Sequence, residues 1–556
     1  MPTVVQDDGS GTLDIDGRSR RVTWERTPEL GGQGKNRLPH QQPALTLHDS
    51  GEELSLTGRF YVWLAADHPV AGLHHQLQQA ELPFSVDWSN GSLARLVASP
   101  DALFHAPRVV QALRAVDGVQ RVQPEWRHHP VRHVSALYPW QWDLHGVVHP
   151  PTTGRTGAGL NLTAARGLSH GSKDIVIAVI DDGFDLKHAA FDGVNIHPEA
   201  LNLIPDQPAT NVSPGPPDFH GTPTAGVAVA GPKSETRGIA PGCTLLPIRI
   251  DLHSASGSLD PDQLLEALKH AEKHADVVLC AFNNQACTVN LVSPPVQQQL
   301  EAMTAPGAGR RGKGVFVIFP TGNDGVPIAL DAKENANGVV LYSNKKKGLC
   351  TIPAGLPVTG NFCSVPGVVG VGGTTSEYRR AAFSSVGVGI DFVAPTNNGH
   401  SIAYNGQHTE QGAPHYNRFY SGTWPIAPAN RAGFGGDTPG RMLDHPFGTG
   451  TCEYQYTRWG GTSHCVPLLG GVVALMWSVD PHLTSAEVHS ILVRTARRDL
   501  DTHAYVPADP NLNGLGPYFQ DGWSPWFGHG LIDADAALWA AFQRKPKADR
   551  PQWGGC

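Results

Sequence analysis

Two runs restrict this chain more than any other feature. Residues 175–180 read IVIAVI and residues 315–319 read VFVIF. A strand with one wet face alternates polar and apolar positions, whereas a strand with no polar position has both faces covered. Such strands belong to parallel sheets, because the crossover helices that join them also cover them. Leu245–Ile250, Val277–Phe282 and Val368–Val371 fit the same role. Between them lie helical stretches. Pro261 to Lys273 follows Asp260, and Thr484 starts a capping box with Glu487 whose helix reaches Ala496. The alternation predicts an α/β fold with a mostly parallel sheet covered on both faces.

Upstream the pattern is different. Phe60 to Leu64 reads as a strand, and Val70 to Glu81 as a helix with Leu73, Leu77 and Ala80 on one face. Strands at Phe84–Trp88 and Leu93–Ala98 follow, then a helix Val109–Val116 ended by Asp117-Gly118, then a strand Val119–Gln123. This β-α-β-β-α-β order predicts a small ferredoxin-like α+β domain over 59–126. Residues 1–58 read as an N-terminal extension and linker. They hold one hairpin, Leu13–Ile15 with Arg20–Val22 around Asp16-Gly17, and a linker from Gly31 to Pro43. The polar stretch 127–137, with Pro130, reads as a linker, 138–544 as the large α/β domain, and 545–556 as a disordered tail.

The 556 residues suffice for more than one domain, and 40% hydrophobic against 17% charged residues describes a globular chain. A net charge of -8 is small for this length and points to neither nucleic acid nor an anionic membrane as partner. No stretch reads as the roughly 18 apolar residues of a membrane span. Met1 to Asp8 carries no basic or apolar signal region, and Arg20-Arg21 leads into Val22-Thr23-Trp24-Glu25 rather than a twin-arginine signal. The expectation is a cytoplasmic chain, or a secreted one if a signal was removed upstream. The eight cysteines include no CxxC pair, so a structural zinc is not expected. Cys350 with Cys363 is the expected bridge in an oxidising compartment, and the missing signal favours reduced thiols.

Three motifs carry chemistry. Asp181, in Val179-Ile180-Asp181-Asp182-Gly183, ends a buried strand, where α/β folds build their sites. His220, in Asp218-Phe219-His220-Gly221-Thr222, opens a small-residue helix. Ser463, in Gly460-Gly461-Thr462-Ser463, opens the apolar segment Leu468 to Trp477, close to free backbone N–H groups. A serine needs a base to become a nucleophile, histidine is the base that works near neutral pH, and a buried carboxylate fixes its tautomer. Asn323, just past the strand 315–319, is placed to donate to a developing oxyanion. Singly, each motif is a common turn or helix start. All four in this order, each at its strand end or helix start, form a strong signal.

These segments resemble the subtilisin-like serine peptidases, most of all their bacterial kexin-like members. VIAVIDDGFD resembles the family's Asp segment, HGTPTAG its His segment, GGTSHCVPLLGG its Ser segment with Pro467 as the helix proline, and VFVIFPTGNDG its oxyanion segment. The supporting stretches are 238–241, 383–385, 391–395 and 527–534, so the resemblance covers about 138–541. It implies a subtilisin-like three-layer sandwich, a triad of Asp181, His220 and Ser463 with Asn323 in the oxyanion hole, and a polypeptide substrate. It further implies that the 59–126 domain is a propeptide acting as an intramolecular inhibitor, with 127–137 as the autoprocessing site. The substrate would lie along Ser256, Gly257, Ala281, Phe282, Asn283, Thr321 and Gly322, with Phe319, Pro320 and Thr321 as the second wall of the specificity pocket.

The departures shape further expectations. The family's Ser-apolar-Gly-Gly ending is here Ala281-Phe282-Asn283-Asn284, and no acid follows before Glu301, so an apolar residue is expected before the scissile bond. Asp324 is the one nearby acid that would select a basic residue instead. The family's calcium aspartate, nine residues past the triad Asp, is Ala190, with Asp192 near it. No metal and no cofactor are therefore expected, calcium being unsupported at the usual positions. The kexin β-sandwich domain is not expected here. Residues 397–457 form an insertion with Tyr404, Tyr416, Phe419, Tyr420, Trp424 and Phe434, either a lid over the cleft or a surface insertion packed on its own aromatics. Two other functions remain open: a peptide-maturation peptidase or ligase using the same acyl-enzyme, and a non-catalytic binding protein on this fold.

Overall fold

The computed structural model describes residues 141–146 and, with short gaps, 157–397, 456–502 and 517–544. In the first 130 residues it describes 4–5, 10–15, 18–26, 43–47, 53–65, 68–98 with short gaps, and 112–129; it also describes 426–428. Ser256, Gly257, Asp324, residues 130–137, the tail 545–556 and most of the 397–457 insertion lie outside the described residues.

Eight N-terminal strands form one antiparallel sheet: β1 (Val4–Val5), β2 (Ser10–Ile15), β3 (Arg18–Arg26), β4 (Pro43–Leu47), β5 (Glu53–Leu64), β6 (Phe84–Asn90), β7 (Leu93–Ala98) and β8 (Val119–His129). The β2–β3 hairpin pairs Ile15 with Arg18 across the two-residue Asp16-Gly17 connection that the sequence marks. The run β8-β5-β7-β6 is the strand order of a split βαβ unit. Its helix α1 (Val70–Gln79) buries Leu73 and Leu77 of the face read from spacing, while Ala80, just past its end, is exposed; Phe60, Val62, Leu96 and Val122 of the sheet are buried as well. Phe60 and Phe84 meet edge to face at 5.3 Å.

Two details of this unit differ from the sequence reading. β5 runs through residue 58, and a register shift between Leu56 and Phe60 lets it continue past Gly58. The N-terminal extension and the α+β unit therefore share a sheet. β8 runs on to His129, with Arg127, His128 and His129 opposite Ser55, Leu54 and Glu53. These linker residues lack apolar alternation, so only their backbone pairing reveals the strand.

The second sheet is parallel throughout, in the order β10-β12-β9-β13-β14-β17-β18, with β11 also paired to β12. Its strands are β9 (Val176–Asp181), β10 (Asn195–Ile196), β11 (Leu201–Asn202), β12 (Thr244–Arg249), β13 (Val277–Cys280), β14 (Phe316–Pro320), β17 (Val369–Thr374) and β18 (Phe392–Pro395). A hairpin, β15 (Val339–Ser343) with β16 (Gly348–Ile352), lies between β14 and β17 in the chain. The five runs chosen for their apolar character are all strands here. β9 shows why: Ile177 and Val179 enter one core cluster, while Val176, Ala178 and Ile180 enter the other. The first cluster packs against α2 (Gly221–Val229), α5 (Thr462–Val479), α6 (Ser485–Thr495) and α7 (Ala534–Arg544). The second packs against α3 (Pro261–His274) and α4 (Pro294–Thr304). α6 begins with the predicted capping box between Thr484 and Glu487.

α5 is long and apolar enough to cross a bilayer, but 89% of it is buried inside the fold, as in a core helix. Glycines let it lie against the sheet. A Cβ on Gly470 would sit 2.2 Å from Leu279 of β13, and one on Gly471 2.3 Å from Ile239. The helix that carries Ser463 is thereby set directly over the central strands.

Candidate active site

β9 ends at Asp181, whose side chain is fully buried. Parallel pairing puts Asp181 opposite Arg249 at the end of β12, and Ile180 opposite Cys280 at the end of β13. His220 stands at the start of α2, and its Nδ1 lies 2.9 Å from both carboxylate oxygens of Asp181. Burial pushes the Asp181 carboxyl up, against the pull of the His220 ring.

His220 is also held by its backbone. The N–H groups of Phe219, His220 and Gly221 all donate to the Asp182 carboxylate, at 2.9, 3.0 and 2.7 Å. These are orphan donors at a helix start, where an anion is favoured. His253 Nε2 meets the same carboxylate at 3.0 Å. Arg249 donates to the Asp182 carbonyl at 2.9 Å and to Asp218 Oδ2 at 2.6 Å. Burial pushes the Asp182 carboxyl up, but the His253 bond, the His220 ring and the N–H groups of Gly221 and Phe219 outweigh it and hold the group below the usual carboxylate range.

Ser463 lies in the first turn of α5, and its Oγ donates to the Ala281 carbonyl at 2.9 Å. Asn323 Oδ1 accepts from the Thr462 N–H at 2.7 Å and from its hydroxyl at 2.9 Å. Those bonds fix the amide so that Nδ2 is its free donor end. On the other side, Asn397 Oδ1 accepts the Gly461 N–H at 2.7 Å, and Thr396 Oγ1 donates to the Gly461 carbonyl at 2.8 Å. Trp459 packs edge-on against His220, with ring centroids 4.9 Å apart. The Asp, His, Ser and Asn segments thus meet at the carboxyl ends of β9, β13 and β14.

The predicted pocket walls are joined by two asparagines. Asn283 Nδ2 donates to the Pro320 carbonyl and to Asn361 Oδ1, and Asn361 Nδ2 donates to the Thr321 carbonyl at 2.9 Å. Phe282 is half-buried and meets Phe319 edge-on at 5.8 Å. Phe319 itself is fully buried and stacks on Phe362 at 4.6 Å, so its side chain backs the wall instead of lining it. Thr321 is likewise buried, and Gly322, at φ +106, accepts the Ser385 N–H.

Of the expected Cys350–Cys363 pair, only the Cys363 side chain is among those described. Cys363 is a buried free thiol that donates to the Pro320 carbonyl at 3.2 Å. Asp182, Asp218 and His253 bring ligand atoms within 4.8 Å of one another. They fit a cation poorly, because the Arg249 guanidinium already neutralises Asp218 and three N–H groups fill Asp182. Ala190, where the family calcium aspartate would stand, is fully buried. Sequence reasoning missed Asp182, His253, Trp459, Asn361 and Asn397. Only Asp182 left a signal, as the second acid of Asp-Asp-Gly.

The Asp182–His253 pair sets a pH dependence. The Asp182 bond raises the His253 pKa and burial opposes it, so the pair stabilises most fully below about pH 6.5, the unfolded value, and this is lost as pH rises through the raised folded value. The lowered Asp182 pKa contributes above about pH 4 and is lost as pH falls through its folded value. His253→Gln should therefore lower the melting temperature most near pH 5 and least at alkaline pH. Thermal melts of both proteins across that range check this, and a deficit that does not vary with pH would contradict it.

Residues 172–530, well over half of the chain, match the family model described as "Subtilase family". The chain is 29% identical over 424 residues to a calcium-dependent protease of Trichormus variabilis, an alignment covering 74% of this chain and 52% of that one. An extracellular protease of Xanthomonas campestris is 26% identical, with 72% and 58% covered. The chain spans a little over half the length of these relatives. The crystallised serine protease of Aeromonas sobria, solved with its chaperone, superposes with a TM-score of 0.53 at 20% identity, covering 74% of this chain and 67% of that one. With a parallel sheet of this order and a family match of this extent, the chain belongs to the subtilase family, the subtilisin-like serine peptidases.

Proposed function

We propose that this chain is a serine endopeptidase that cleaves peptide bonds through an acyl-enzyme on Ser463. The observation that carries the reading is the His220–Asp181 contact of 2.9 Å, with the Ser463 hydroxyl bonded to the carbonyl of Ala281, the residue after the Cys280 that pairs with Ile180. His220 donates its Nδ1 proton to Asp181, which leaves Nε2 as the basic nitrogen. The Ser463 hydroxyl turns from the Ala281 carbonyl and gives its proton to Nε2 as Oγ attacks the peptide carbonyl. Asn323 Nδ2 and the Ser463 N–H donate to the oxyanion. His220 passes the proton to the leaving amine, and the C–N bond breaks. Water then attacks the ester carbonyl and gives a proton to His220; the C–Oγ bond breaks as His220 returns that proton to Oγ, which releases the acid and restores the hydroxyl.

The substrate would lie extended, as an added strand along 281–283 and 256–258. Phe282, with no acid after Asn284 before Glu301, favours an apolar residue before the scissile bond. A cleavage profile on a peptide library tests both points. Leu or Phe should outperform Arg, Ser463→Ala should lose activity by many orders of magnitude, and Asn323→Ala should lose roughly 10²–10³ in kcat. Turnover by clean Ser463→Ala would refute the nucleophile, and a tenfold preference for Arg would refute the pocket.

In the same reading the N-terminal α+β unit is an intramolecular inhibitor at high effective concentration. Because 127–129 are paired in β8, the cut is expected within 130–136. N-terminal sequencing should find that cut in active enzyme and not in Ser463→Ala. Residue 1 retained in both, at full activity, would refute it.

Calcium at the usual family position is not part of this proposal, since Ala190 offers no ligand. A chelator should leave the melting temperature unchanged. A loss that calcium restores and magnesium does not would overturn this.

A further inference from the structure

His464 follows the proposed nucleophile and is fully buried. Its Nε2 lies 2.9 Å from Oδ2 of Asp143, itself 1% exposed, in the turn Trp142–His145. The two residues are 321 positions apart in the chain. Neither His464 Nδ1 nor Asp143 Oδ1 has a protein partner. A half-satisfied buried polar pair is worse for stability than apolar packing, so stability does not explain it.

Its position suggests another role. The residues just before Ser463 are held on one side: Gly461 by Asn397 and Thr396, and Thr462 by Asn323. On the far side the next side chain is His464, and its partner is Asp143. The Asp143 turn is itself fixed, since Gln141 exchanges two hydrogen bonds with the Arg237 backbone and the Leu160 N–H donates to the Asp143 carbonyl at 2.9 Å. Leu144 and Leu160 share a core cluster with Cys465 and Val466.

We propose that the Asp143–His464 hydrogen bond is a positioning pair that fixes the first turn of α5, and through it the Oγ and backbone N–H of Ser463. Residues 141–146 follow the segment that links the two sheets, so their seating is transmitted to the nucleophile by this bond. The inference rests on Ser463 being the nucleophile. An error of one ångström at a reacting atom is enough to slow attack about a hundredfold.

The test is inactivation by a fluorophosphonate, resolved into kinact and KI, alongside thermal melts of the full chain. His464→Leu should lower kinact about tenfold to a hundredfold with KI unchanged. His464→Gln, which keeps a nitrogen donor, should stay within about threefold of the parent. The double variant Asp143→Leu/His464→Leu should regain the melting temperature, because an apolar pair replaces a buried polar one, but not kinact. Recovery of both in the double variant would make the pair simple packing and overturn the proposal, as would an unchanged kinact in His464→Leu. A parent chain already cut within 130–136 that does not label at Ser463 would instead refute the nucleophile reading beneath it.

Discussion

Asp181 is the last residue of β9, and parallel pairing sets it level with Arg249 of β12 while Ile180 faces Cys280 of β13. Everything around the site depends on that register. Ala281, which accepts the Ser463 hydroxyl, follows Cys280 directly, and Asp182, which holds the His220 loop, follows Asp181 directly. A slip of one residue in β9 would turn Asp181 toward the opposite face and exchange its two apolar sets between clusters. The apolar cores on both faces exclude that slip, because every residue of β9 is buried. The register that buries the hydrophobic side chains therefore also aligns the polar ends.

The second constraint is how closely α5 approaches the sheet. Gly470 and Gly471 admit Leu279 and Ile239 where side chains would collide. Ser463 is seven residues before Gly470, two turns back along the helix. Seating the helix on β13 places its first turn beside the end of that strand, where the Ala281 carbonyl lies. Packing at the middle of the helix thus fixes the place of its first turn.

What the sequence makes legible follows from the range of each interaction. Strands covered on both faces and a capping box leave local patterns, which is why β9, β12, β13, β14, β17 and α6 are legible in the sequence. The four motif residues sit at strand ends and helix starts, which local patterns also mark. The contacts that tune the site leave no local trace. His253 lies 71 residues from Asp182, and Asn361 lies 78 from Asn283. Trp459 looks like any core aromatic until its ring is found on His220. Phe319 shows the converse error: position in a motif suggested a pocket wall, but the alternation of β14 turns its ring inward onto Phe362.

Asp181 and Asp182 show how adjacent carboxylates come to differ. Both are fully buried, and burial alone pushes each upward. Asp181 faces one imidazole and the Asp182 N–H, and its shift remains upward. Asp182 collects three backbone N–H groups at the start of α2 together with His253, and its shift is downward. When neighbouring environments drive two titratable groups apart, their roles separate as well. Asp182 is the anion that holds the loop, and Asp181 is the one that meets the His220 ring. A protein with only the first carboxylate would have to hold the loop backbone and the imidazole with the same group.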